Sequence, residues 1–182
     1  MLAPVVVDFP LRGEWIAPNT PGKRVPSHGT GILGQRYAYE FVGINPQSKG
    51  LRFYRPSPLH YLVFGVRLQD CFGWGQPIFS STAGNYIIID SRDGYAVYAH
   101  AQTGSIKVSS GDTIAPGQMV ANVGHSGNST APHLHFHLMD HQDPRKAQGI
   151  PCCFRDYEVF HEGSWHRVQH GIPKATDRIR KL

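Results

Sequence analysis

Pro132-His-Leu-His-Phe-His-Leu-Met139 is the stretch on which the reading of this chain turns. Side chains on a strand alternate between its two faces, so His133, His135 and His137 share one face and Leu134, Phe136 and Leu138 share the other. The second face is wholly apolar and belongs to a core. Three imidazoles side by side make a poor solvent face, because as cations they repel one another; as neutral rings they are good metal ligands. Ahead of them, Gly124-His-Ser-Gly-Asn-Ser-Thr-Ala-Pro132 is rich in small residues. It is either a plain connecting loop or one that lets a substrate backbone approach closely.

Around this segment, short apolar runs alternate with turn residues at 61–68, 76–80, 86–90, 95–100, 105–108 and 118–123. Ser91-Arg-Asp-Gly94 is a hairpin signal between two of them, and Gly111-Asp112 and Pro116-Gly117 separate the last pair. No sustained 3.6-residue period competes. The expected class is mainly β, and the 20 Gly and 14 Pro suit many short strands joined by turns. At 182 residues the chain fits a single domain, 1–182, with one sizeable core. Residues 1–26 read as an extended lead-in, since Pro4, Pro10, Pro18, Pro21 and Pro26 disfavour helix interiors and central strands. Residues 27–140 form the core, and 141–182 a small C-terminal appendage. In the appendage, 156–160 and 164–168 flank Glu162-Gly163 as a hairpin ahead of a basic tail.

The net charge of +5 is spread without a Lys/Arg run, so no nucleic-acid partner is expected. No apolar run is long enough to span a bilayer. The first ten residues do not resemble a signal peptide, and as written the chain reads as unexported. Cys71, Cys152 and Cys153, an odd count with an adjacent pair, read as free thiols.

A catalytic zinc takes three protein ligands and keeps a position open. The histidine strand supplies one or two of them, so others must come from elsewhere. His100 ends the run at 95–100. Upstream, Ser27-His28-Gly29 precedes Tyr37-Ala-Tyr-Glu-Phe41. Within that segment Glu40 either points outward or, if buried among aromatic neighbours, needs a cation.

Five segments together resemble the lysostaphin-type zinc endopeptidases, which cut peptide cross-links in bacterial cell walls. They are Ser27-His-Gly-Thr30, Tyr37-Ala-Tyr-Glu-Phe41, Tyr98-Ala-His100, Gly104-Ser-Ile-Lys-Val108 with Gly111-Asp112 and Gly117-Gln118, and Gly127-Asn-Ser-Thr-Ala-Pro-His-Leu-His-Phe136. The resemblance implies an antiparallel, barrel- or sandwich-like β domain with an active-site groove. It implies that His28, Glu40 and His135 hold Zn2+ and that His133 and His100 are the catalytic imidazoles. The implied substrate is a peptide, within peptidoglycan, and the implied compartment is outside the cytoplasm. Two departures stand out. Glu40 occupies a position where the family normally has Asp. The connection at 81–84 is short, as though a strand and a loop after 74–80 were missing. His137 stands where relatives often carry an acidic or amide residue; it reads as a rim residue, or as one that orients a metal ligand.

Three other readings remain. A non-catalytic relative would bind cell-wall peptides or a partner enzyme. A zinc amidase or esterase would use the same ligands on another bond. Gly111-Asp-Thr-Ile-Ala-Pro-Gly-Gln118 resembles half of a biotinyl/lipoyl-type barrel, but no Lys lies between Lys107 and Lys146 to be modified.

Overall fold

The computed structural model describes residues 3–44 and 82–182. The runs at 61–68 and 76–80, Cys71 and the segment preceding the short connection lie outside the described residues. The described residues form ten strands: β1 (Val5–Asp8), β2 (Glu14–Asn19), β3 (Tyr39–Gly43), β4 (Ile87–Ser91), β5 (Gly94–Ala99), β6 (Leu134–Met139), β7 (Gly149–Ile150), β8 (Cys152–His161), β9 (Ser164–Gly171) and β10 (Arg178–Lys181). They make one curled mixed sheet, a half-barrel, in the order β1-β8-β10-β2-β3-β6-β5-β4, with β7 beside β6 and β9 beside β8. The expectation of a mainly β protein is met. Every pairing is antiparallel except β1 with β8, which is parallel.

The hairpin at Ser91-Arg-Asp-Gly94 forms as read, a two-residue turn between β4 and β5. The hairpin around Glu162-Gly163 also forms and is longer than expected, as β8 and β9. The segments 105–108 and 118–123 are not strands. They run alongside one another with scattered bonds, from Lys107 N to Val120 O (2.9 Å) and from Gln102 N to Asn122 O (3.0 Å), and build no regular ladder.

Both ends of the chain enter the sheet. The proline-rich start supplies β1 and β2, and the basic tail supplies β10, which lies between β8 and β2. Pro18 sits inside β2 although it cannot donate to a ladder. The register of β2 against β3 shifts between Ile16 and Asn19, and the pairing with β10 ends at Ile16, so no missing bond arises at Pro18.

The apolar face of β6 packs as its alternation dictates. Leu134, Phe136 and Leu138 join Phe9, Tyr39, Phe41, Phe154, Tyr157 and Ile179 in the main core. Phe9 meets Phe41 and Phe154 edge-on at 5.3 and 5.4 Å between ring centres, and Tyr39 meets Phe154 at 4.8 Å. Burying such aromatic surface drives folding at roughly 25 cal/mol per Å2. The Tyr39 hydroxyl, deep in this core, donates to Cys152 O at 2.6 Å, which satisfies it. Cys152 and Cys153 are both buried free thiols on β8; neighbours on a strand point to opposite faces.

Candidate metal centre

The opposite face of the same strands carries the polar cluster. Register places Glu40 on β3 directly across from His135 on β6, with Ala99 of β5 on the far side of His135 and Asn19 of β2 on the far side of Glu40. A single row across four strands therefore runs Asn19, Glu40, His135, Ala99. His28 reaches this row from the loop after β2. Its ring lies edge-on to that of His135 at 4.9 Å, its Nε2 is 2.7 Å from Glu40 Oε1, and its Nδ1 is 3.1 Å from the hydroxyl of buried Ser27.

One ligand atom from each of His28, Glu40 and His135 lies within 4.8 Å of the others. Two imidazoles and a carboxylate at that spacing are a donor set suited to a divalent metal. Burial resists ionisation of Glu40. The hydrogen bond and charge of His28, the charge of His133 and the Asn19 amide outweigh it, holding the carboxyl down at about 2. The group is therefore a carboxylate, as a ligand must be. Asn19 Nδ2 donates to Glu40 Oε2 at 2.5 Å, leaving Oε1 toward the histidines.

His100 follows β5 with φ of 65°, a left-handed conformation that costs a non-glycine residue energy and is concentrated at functional sites. Its backbone N–H donates to Ala83 O at 2.9 Å, and its Nδ1–H donates to Ser126 O at 2.7 Å. Burial, then the charge of His133, lowers its pKa to about 4, so the ring is neutral. His133 Nδ1–H donates to Ala131 O at 2.7 Å, with the Ser129 hydroxyl 3.1 Å away. Its ring centre lies 4.5 Å from that of His100, and its Nε2 is 3.8 Å from Glu40 Oε1. Because a carbonyl only accepts, both rings carry their proton on Nδ1 and leave Nε2 able to take another.

A cavity of about 250 Å3 is lined by His28, Glu40, His100, His135 and His137, with Asn128 from the loop before β6. All five residues read from the sequence as site residues thus come together: His28, Glu40, His100 and His135 around the cavity, and His133 next to His100 and Glu40. His137 is not a rim residue. It is 2% exposed, and its Nδ1 lies 3.1 Å from His135 Nε2.

The loop at 124–132 also differs from one of its two readings. Its glycines meet the chain itself. A Cβ on Gly127 (φ 73°) would stand 2.3 Å from Gly84 N, and one on Gly84 (φ 65°) would stand 2.4 Å from the Ser126 carbonyl carbon. Backbone packs on backbone here, and that contact fixes the Ser126 carbonyl that holds His100. Asn19 and the Ser126 and Ala131 carbonyls were not foreseen. No motif marks Asn19 within the proline-rich start, and main-chain groups leave no trace in side-chain spacing.

A curled β-sheet bearing two histidines and a carboxylate, with two further imidazoles beside them, is a candidate metal centre. The model of peptidase family M23 matches residues 73–147, in agreement with the lysostaphin-type resemblance. The matched segment holds His100, His133 and His135; His28 and Glu40 lie outside it. No solved structure matches the chain. Among the described residues, no helix is long and apolar enough to cross a membrane.

Proposed function

We propose that the chain is a zinc-dependent endopeptidase that hydrolyses peptide bonds, with peptidoglycan cross-links as its substrate. The observation that carries this reading is the convergence of His28, Glu40 and His135 within 4.8 Å, beside a cavity that His100 also lines. The match to peptidase family M23 supports a peptide substrate, and the resemblance to lysostaphin-type enzymes supports the cell wall as its source.

His28, Glu40 and His135 would hold the ion. When bound, zinc lowers the pKa of a water toward about 7 and polarises a carbonyl. His100, neutral and anchored through Nδ1, presents Nε2 to take the proton of the attacking water and pass it to the leaving amine. His133 is anchored in the same way and lies against His100, its ring tilted at 45°. It is the second imidazole able to hold that proton, and in its cationic form Nε2–H donates to the developing oxyanion, an effect worth roughly 3–4 kcal/mol in comparable sites. Asn19 keeps the Glu40 carboxylate turned toward the histidines.

Retention of both anchored imidazoles favours catalysis over a binding-only role, because a binding module has no need of two proton carriers. The test is elemental mass spectrometry of the full chain beside His135→Ala, followed by hydrolysis of glycine-rich peptides and of purified cell walls. About one zinc per chain, lost in the variant, together with peptide cleavage that His100→Ala removes, is the expected result. Zinc uptake without cleavage of any peptide would leave the binding-only relative standing instead.

A further inference from the structure

Resting on the metal reading of that site, we propose that His137 is a positioning residue that accepts a hydrogen bond from His135 Nε2–H and so reserves His135 Nδ1 for the ion. His135 and His137 sit two residues apart on one face of β6, with ring centres 5.2 Å apart and planes at 83°, and with Nε2 of the first 3.1 Å from Nδ1 of the second. Both side chains are buried, at 8% and 2% exposure, and no carboxylate bonds either ring among the described residues.

Two imidazole nitrogens 3.1 Å apart share one proton; with two or none they repel. Either His135 donates from Nε2 or His137 donates from Nδ1. In the second case His135 carries its proton on Nδ1, both of its nitrogens are engaged, and it has no lone pair for a metal. Only the first case leaves His135 a lone pair for the ion. His137 then carries its own proton on Nε2, which is buried and makes no hydrogen bond in the structure. A proton on His137 Nε2 leaves Nδ1 as the acceptor. Leu33 is held at φ 57° in the turn before Gly34, whose Cβ position would fall 2.9 Å from the Met139 side chain, so this turn is pressed against the end of β6. Ligand orientation by an outer hydrogen bond is general in metal sites, and removing one typically costs about 10–100-fold in affinity.

The experiment uses the full chain labelled with 15N-histidine, recorded by long-range 1H–15N NMR with and without zinc. It is paired with zinc affinities from chelator competition for the parent, His137→Phe and His137→Asn. A protonated His135 Nε2 in both states, with the Nδ1 resonance alone moved by zinc, is expected. His137→Phe should bind zinc about 10–100-fold more weakly. His137→Asn, which keeps a carbonyl oxygen near the place of Nδ1, should recover most of that loss. A proton on His135 Nδ1 in the parent, or parent-like affinity in His137→Phe, would overturn the assignment. Should both variants fail to fold, the parent spectra alone decide. A parent that takes up no zinc but carries the proton on His135 Nε2 would overturn the metal reading while leaving the tautomer as assigned.

Discussion

Asn19 and Glu40 face one another across β2 and β3, and the amide of the first takes one oxygen of the second. Freeing that oxygen would let the carboxylate rotate away from His28. Asn19→Leu should therefore weaken zinc binding about tenfold or more, with the fold intact. Glu40→Gln should abolish binding, and Glu40→Asp should weaken it, because this register is built for the longer side chain. Chelator competition reads all three, and an Asn19→Leu variant with parent affinity would remove Asn19 from the site.

His100→Ala should lower turnover by about 10²–10⁴ while leaving zinc stoichiometry at the parent level. It also leaves the Ser126 carbonyl without its donor, which costs roughly 1–3 kcal/mol of stability. Steady-state kinetics beside zinc content separates these effects. Loss of zinc along with activity would show that His100 supports the metal instead of carrying the proton.

Acid should destabilise the metal-free chain well above the usual carboxylate range. Burial lowers the folded pKa of His100 to about 4 and of His137 to about 3, and it lowers that of His135 well below the ordinary 6.5. The unfolded chain thus binds more protons between about pH 6.5 and 4, so stability rises with pH across that window and is lost as pH falls through it. Glu40, held at about 2, extends the loss in the same direction below its ordinary 4.5. Urea midpoints at pH 7, 6 and 5 in the presence of chelator should fall in that order, with a shallower slope for His137→Phe. A flat series would show that these rings are not buried in solution.

Gly127→Ala should destabilise by about 1–3 kcal/mol through overpacking alone, since its Cβ would enter the backbone of Gly84 at 2.3 Å. The same push moves the Ser126 carbonyl, so activity should fall by more than thermal unfolding at assay temperature explains. Thermal melts and kinetics on the same preparation check this. Gly104→Ala has nothing within 4 Å, although φ is 74° there, and serves as the control for backbone strain without a clash.

Much of the site was legible because alternation on β6 settles which side chains share a face, and because the family resemblance picks out His28 and Glu40 as ligands and His100 as a catalytic imidazole. The hairpins at 91–94 and 162–163 were legible from turn chemistry. The strands at 5–8 and 14–19 were not: proline argues against a central strand, and only the register shift at Ile16 and Asn19 shows how β2 accommodates Pro18. The absence of a ladder at 105–108 and 118–123 was hidden for the converse reason, that apolar composition alone does not guarantee a partner. His137 was misplaced at the rim because alternation gives the face of a residue but not its depth.

The three grouped ligands come from far-separated stretches: His28 and Glu40 precede β4, whereas His135 lies on β6 beyond it. In the unfolded ensemble such groups rarely meet, and the entropy of closing so long a loop opposes their encounter. An ion captured by all three would act as a reversible cross-link between these two distant stretches, and its binding free energy would count toward folding. Scarcity of metal would then limit how much folded protein accumulates as well as how fast it works.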